Sequence, residues 1–197
     1  MNAGPEWWED HNAKSLRSKV SCLRGLVELL ETEINLTAKV PKLMAQPQLS
    51  RRVFLVHGHH DGLLYEVARY LEKLNLAAVI LREQPSGGRT IIEKFVDYAD
   101  VGYAVVLLTP DDRGGLVKAA YEEQRPRARQ NVILELGYFL GKLSRNRVTA
   151  LHMGDVEIPS DYSGAAFVAV DDRGAWRIEL ARELKASGLE IDMNLAL

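Results

Sequence analysis

The chain has 197 residues, 47% of them hydrophobic and 26% charged, which suits one α/β domain plus an appendage and is too short for two full-sized domains. Its 25 basic and 27 acidic side chains leave a net charge of −2, so no overall field attracts a polyanion, and nucleic acid is not expected as a partner. The single cysteine, Cys22, excludes an intrachain disulfide framework and any multi-cysteine zinc site.

In chain order, residues 1–10 are acidic and aromatic, without the basic region or apolar stretch of a secretory signal, and no apolar run approaches membrane-spanning length. A cytoplasmic location with no membrane partner is expected. Residues 13–40 read as one helix, because Leu16, Val20, Leu23, Val27, Leu30 and Ile34 recur at alternating spacings of four and three with charges between them. This seam either packs on its own domain or pairs with a copy of itself. Pro41, Gln46, Pro47, Gln48 and Ser50 form a polar joint. The expected division is therefore 1–50, a helical segment with linker, and 51–197, an α/β domain.

From Arg51 the pattern alternates. Residues 52–56 are a short apolar strand, and Leu63, Leu64, Val67, Leu71 and Leu74 mark a helix. Residues 77–81 form a second strand, and Thr90 with Glu93 makes a capping box opening a helix over 90–97. Residues 101–108 form a continuous apolar strand and 127–143 a helix; 147–152 and 166–170 are the fourth and fifth strands, and 176–185 the last helix. Such βα alternation predicts a parallel sheet covered on both faces, consistent with strands that are apolar throughout.

Ligands of open parallel sheets bind beyond the carboxyl ends of the strands. The segments there carry His57, Gly58, His59, His60 and Asp61 after the first strand. Arg82 to Thr90, with Gly87, Gly88 and Arg89, follow the second, and Thr109, Asp111 and Asp112 the third. Neither Gly-x-Gly-x-x-Gly after the first strand nor Gly-x4-Gly-Lys-Ser/Thr nor Gly-x-Ser-x-Gly occurs, which disfavours a Rossmann dehydrogenase, a P-loop NTPase and an α/β-hydrolase. Adjacent His59 and His60 cannot easily converge on one ion, so no metal is assigned. Gly87 to Thr90 offer either a phosphate cradle at a helix N-terminus or a mobile loop with a solvated arginine. The basic run from Arg125 to Arg129 is either the solvated start of a helix or a diphosphate clamp.

Glu135 is the only charge between Val132 and Leu140. A carboxylate on an otherwise buried helix costs several kcal/mol unless paired or protonated. It is therefore either a working acid or base or half of a structural ion pair, with Arg129 or an arginine of the first loops as partner. Asn131 lies four residues earlier on the same face.

The runs Val53-Phe54-Leu55-Val56-His57-Gly58, Glu83-Gln84-Pro85, Gly88-Arg89-Thr90-Ile91-Ile92-Glu93-Lys94-Phe95, Val105-Val106-Leu107-Leu108-Thr109-Pro110-Asp111-Asp112 and Arg127 to Phe139 resemble the bacterial TIR-like, predicted nucleotide-binding family. The TIR portion of bacterial TIR–STING effectors is similar. The resemblance runs from about Arg51 to the end of the chain. It implies a flavodoxin-like, three-layer TIR domain with a five-stranded parallel sheet in the order 2-1-3-4-5, preceded here by an N-terminal helix. In catalytic members it implies NAD+ glycohydrolase activity (an NAD+ nucleosidase), with NAD+ as substrate and no bound cofactor. Glu135 occupies the place of the family's catalytic glutamate. His57, Gly58, His59, Asp61, Gly88, Arg89, Thr109, Asp111, Asp112 and Asn131 are the expected substrate contacts.

The resemblance further implies an antiviral-defence effector that works when assembled, the second loop of one copy closing the site of another. Self-association through the TIR domain and residues 13–40 is expected, with a separate activating protein or nucleotide as a further partner. The chain departs from the wider superfamily in its His-Gly-His-His loop and in lacking Trp or Cys just before Glu135. A non-catalytic nucleotide-binding module and a TIR scaffold are the alternatives.

Overall fold

The computed structural model describes residues 49–159 and 166–196 and, nearer the start, 19–21, 23–25, 27, 28 and 31. The chain divides into two units, Met1–Pro47 and Gln48–Leu197.

In the first unit the described residues are helical. The seam positions Val20, Leu23 and Val27 are exposed. Leu16, Leu30 and Ile34 lie outside the described residues.

In the second unit, branched and aromatic runs build a five-stranded parallel sheet from β1 (Arg52–Val56), β2 (Ala77–Ile80), β3 (Tyr103–Leu108), β6 (Val148–Met153) and β7 (Ala166–Val170), in the order β2-β1-β3-β6-β7. This is the expected flavodoxin-like order, because β4 (Asp112–Gly114) and β5 (Arg125–Arg127) pair only with each other in a separate antiparallel ribbon. The helices are α1 (Asp61–Lys73), α2 (Ile91–Tyr98), α3 (Gln130–Leu143) and α4 (Ala175–Ala186). Among the described residues no helix is long and apolar enough to cross a membrane.

The alternation of a strand's side chains across the sheet creates two cores. Val53, Leu55, Tyr103, Val105, Leu107 and Leu151 pack with α1 and α4, including Leu64, Leu71, Trp176 and Leu180. Phe54, Val56, Ala104, Val106 and Leu108 pack with α2 and α3, including Phe95, Val132, Leu136 and Phe139. On the second face Phe54 meets Phe95 and Phe139 with ring centroids 5.5 and 4.9 Å apart, which fixes α2 and α3 beneath the end of β1. Every residue of β3 is buried, as a central strand covered on both sides requires. Its Tyr103 hydroxyl shares a 2.6 Å hydrogen bond with buried Thr149.

Two boundaries differ from the sequence expectation. The helix expected from Arg127 begins at Gln130, because Arg127 is drawn into the ribbon opposite Asp112 and bridges to Glu157. Its guanidinium holds the Glu157 carboxylate at 2.5 Å. The basic run from Arg125 to Arg129 is thus mostly ribbon rather than helix start. The fourth strand of the sheet spans Val148–Met153, after a tight turn at Arg145–Arg147.

Candidate functional site

The loops after β1 and β2 converge with α2 and α3 at the carboxyl edge of the sheet. They enclose a cleft of about 270 Å³ lined by Phe54, Leu55, His57, Leu81, Arg82, Ser86, Arg89, Ile91, Lys94 and Glu135. This is close to the lower end of ligand-pocket volumes, about 300–1,000 Å³. A larger hollow of about 660 Å³ on the outer side of α1, beside Tyr65, Arg69 and Arg177, shares no residue with it.

Glu135 stands in the second turn of α3, where Val132, Leu136 and Phe139 anchor the helix in the core. It is half-buried, and burial alone pushes its carboxyl up to about 7. No hydrogen bond or ion pair holds it among the described residues. The structural alternative was a salt bridge to Arg129 or to an arginine of the loops, and none of these forms. Arg129 instead lies against Nε2 of His59. The helix is less enclosed than its composition suggests, since Leu134, next to Glu135, is 70% exposed.

The cleft's two arginines are held on its walls. Arg82 Nη1 meets Asp61 Oδ1 at 2.7 Å, and Nη2 donates to the Tyr65 hydroxyl at 2.9 Å. Arg89 Nη1 meets Asp97 Oδ2 at 2.5 Å, and its Nε donates to the Ser86 carbonyl at 3.2 Å. His57 Nδ1 lies 2.8 Å from the Gly58 carbonyl and so donates to it, leaving Nε2 as an acceptor. Burial holds the His57 imidazole below its ordinary value, which favours the neutral ring.

Of the expected contacts, the structure brings His57 and Arg89 together with Glu135 in one cleft. Asp61 acts there indirectly, through Arg82. Gly58, His59, Thr109 and Asp111 form a separate latch between the loops after β1 and β3. Asp111 Oδ2 accepts from the Thr109 hydroxyl at 2.8 Å and from the His59 N–H at 3.3 Å. A Cβ on Gly58 would stand 1.8 Å from the same oxygen, so only glycine lets the two loops approach this closely. Asp112 belongs to the ribbon, opposite Arg127. Asn131 is exposed on α3 and is not part of the cleft wall.

Gly87 and Gly88 take positive φ of 55° and 77°, shaping the turn before α2. The N-terminus of α2 carries the expected capping box. Glu93 N–H donates to Thr90 Oγ1, and the Glu93 carboxylate accepts the Thr90 N–H at 2.8 Å. That carboxylate brings a negative charge to the place where a phosphate would dock.

The three clustered histidines diverge: His57 faces the cleft, His59 meets Arg129, and His60 Nδ1 caps α1 by accepting the Leu63 N–H at 3.1 Å. Among the described residues no group of three or more His, Cys, Asp or Glu could hold a metal ion. Arg82 and Ser86, expected only as part of the loop after the second strand, and Lys94, not expected there at all, also line the cleft. For Lys94 the signal was its helical spacing, three residues after Ile91 and four before Tyr98, which puts it on their face of α2.

A family model described as CAP12/Pycsar effector protein, TIR domain, matches residues 52–172, a span that contains the whole cleft. The chain is similar to the "Uncharacterized protein YuaY" of Escherichia coli (strain K12), with 48% identity over 150 residues, 76% of this chain and 50% of that protein. It is also similar to "Protein tirC" of Dictyostelium discoideum, with 29% identity over 126 residues, 59% of this chain and 63% of that protein. The chain thus spans about half the length of the first relative and under two thirds of the second.

Proposed function

The chain belongs to the CAP12/Pycsar effector TIR-domain family, and on that premise we propose that it is an NAD+ glycohydrolase. The observation that carries this reading is Glu135: a half-buried carboxylate without a partner among the described residues, opening onto a cleft of nucleoside size.

The chemistry asks for one carboxylate. Ordinary glycosidases use two, because the leaving oxygen must be protonated. The bond cleaved in NAD+ joins the ribose anomeric carbon to a pyridinium nitrogen. As it breaks, both electrons go to nitrogen, nicotinamide leaves neutral without a proton, and positive charge grows on the ribose. Glu135 stabilises that charge electrostatically, in surroundings where few waters compete. Water then attacks the anomeric carbon, and its proton is released, giving ADP-ribose. If an adenine nitrogen arrives first, the product is cyclic. Neutral His57, with Nε2 free to accept, is placed on the wall to take a hydrogen bond from a ribose hydroxyl or the nucleophilic water.

Assembly accords with the exposed apolar side chains of α2, Ile91, Ile92 and Val96, at 81%, 72% and 50% exposure. They follow the loop that would close a neighbour's site. With activation by a separate protein or nucleotide, this describes a defence effector that depletes NAD+ on assembly.

The test is direct: concentrated full chain is incubated with NAD+ and nicotinamide is measured by mass spectrometry. Glu135→Gln is expected to lose about 10²-fold or more in turnover, the cost of removing one charge-stabilising group. Undiminished cleavage by folded Glu135→Gln would falsify the role. Saturable NAD+ binding by the wild type without nicotinamide release would instead favour a nucleotide-binding module.

A further inference from the structure

Lys94 is 8% exposed, although lysine is among the residues least often buried unless paired. It sits in the second turn of an eight-residue helix, beside Phe95 in the core, and lines the cleft with Glu135. Its backbone N–H donates to the Thr90 carbonyl at 3.0 Å. Its ammonium has no carboxylate within ion-pair distance among the described residues. This separates it from Arg82 and Arg89, whose charges are already met by Asp61 and Asp97. Nor does it pair with Glu135, with which it makes no ion pair among the described residues. A lysine so buried yet lining a cleft fits the common arrangement in which the stem lies along apolar surface and the charged head stays at the polar opening.

We infer that Lys94 is a substrate-binding residue that receives the phosphate next to the nicotinamide ribose, so that the cleft selects phosphorylated nicotinamide nucleotides over the unphosphorylated nucleoside. The inference rests on the NAD+ reading above and names its substrate class. An ammonium offers three donors and no acceptor, and it binds phosphate as a point charge. In a nicotinamide nucleotide the phosphate is joined to the ribose through a single methylene. A ribose held at Glu135 in so small a cleft would therefore bring its phosphate to another part of the same lining, which includes Lys94. Wall burial strengthens the interaction relative to a solvated lysine.

The experiment compares full-length wild type, Lys94→Met and Lys94→Arg in two assays. Steady-state cleavage is followed on NAD+, nicotinamide mononucleotide and nicotinamide riboside. Binding of ADP-ribose is followed by thermal shift. A charge-assisted hydrogen bond contributes about 1.5–3 kcal/mol, roughly 10- to 100-fold in binding. Lys94→Met is therefore expected to raise KM for NAD+ and the mononucleotide at least about tenfold, with a smaller change in kcat. Its preference for NAD+ over the riboside should fall by a similar factor, and ADP-ribose should bind about tenfold more weakly; Lys94→Arg should restore part of each.

Equal ADP-ribose binding by wild type and Lys94→Met overturns the inference. So does an equal loss on all three substrates, which would tie Lys94 to the reacting centre instead. A wild type that releases no nicotinamide defeats the catalytic reading alone, since the ADP-ribose comparison still decides Lys94. Should Lys94→Met fail to fold, Lys94→Gln and Lys94→Arg carry the same comparison.

Discussion

Replacing Glu135 by glutamine should make the protein more stable at pH 8 while removing its proposed activity. The carboxyl has an ordinary value of 4.5 and is pushed up to about 7 by burial. Between those values the folded chain holds a proton that the unfolded chain has released. The folded state therefore binds more protons, and stability falls as pH rises through this window. Above pH 7 the full penalty of a desolvated, unpaired carboxylate is present. At about 1.4 kcal/mol per pH unit the gap corresponds to roughly 3 kcal/mol. Solvent at the open side of the cleft screens it, leaving about 1–2 kcal/mol.

Glutamine keeps the shape and removes the charge. In a chain of this size the melting temperature at pH 8 should rise by about 2–8 °C. Near pH 4.5 the two proteins should melt together, because the carboxyl is protonated in the folded state and the penalty is absent. Scanning calorimetry of wild type and Glu135→Gln at both pH values is the assay, run beside nicotinamide release on the same samples. A lower melting temperature for Glu135→Gln at pH 8 would refute the reasoning. It would mean that the fold supplies the carboxylate with a stabilising partner, and the argument for an available charge would fail.

The same ionisation should govern turnover. The kcat/KM for NAD+ is expected to climb about tenfold per pH unit below 7 and level off above it; a profile from pH 5 to 9 that is flat, or that falls through 7, contradicts this. The substrate's pyridinium favours the ionised carboxylate, so the kcat limb should lie at lower pH than the kcat/KM limb. Gly58→Ala should displace Asp111 and break its bonds to Thr109 and His59, at a cost of about 1–3 kcal/mol. In a denaturant-melt cycle with Asp111→Ala the two losses should be less than additive. Thr90→Ala removes the capping box of α2 and should cost about 0.5–2 kcal/mol in the same melts, with a higher KM for NAD+ because α2 carries a wall of the cleft.

The five strands of the sheet and the capping box could be read from residue order because their causes are local. A run such as residues 103–108 can be apolar throughout only if both faces are covered, and all of it is buried. Glu135 stood out because it interrupts an apolar stretch. The ribbon of β4 and β5 left no such trace. Its strands are polar and short, and they are fixed by backbone pairing across a loop and by the Arg127–Glu157 ion pair. The partner of Arg82 was equally hidden, since Asp61 lies 21 residues away and long-range pairs have no periodicity. Apolar content also misled. Leu134 projects into solvent while Lys94 turns inward, because position on the helix, not hydrophobicity alone, decides which side chain the core covers.

The allocation of charge in the cleft supports the proposed reading of Glu135 as a working carboxylate. Its wall holds Arg82, Arg89, Lys94 and Glu135. Selection for stability alone would turn an arginine onto Glu135, since removing a desolvated charge or pairing it both lower the energy of the fold. Instead the arginines bind Asp61 and Asp97, which are half-exposed and cost little to leave in water. A permanent cation on Glu135 would pull its pKa down and keep it ionised at any physiological pH. It would also neutralise the field that a ribosyl cation needs, and the carboxylate would stabilise ground state and transition state alike. Only an interaction stronger in the transition state accelerates the reaction. In the proposed reaction Glu135, without a partner among the described residues, would meet its counter-charge as the glycosidic bond breaks, so the burial that weakens the fold is what would make that encounter strong.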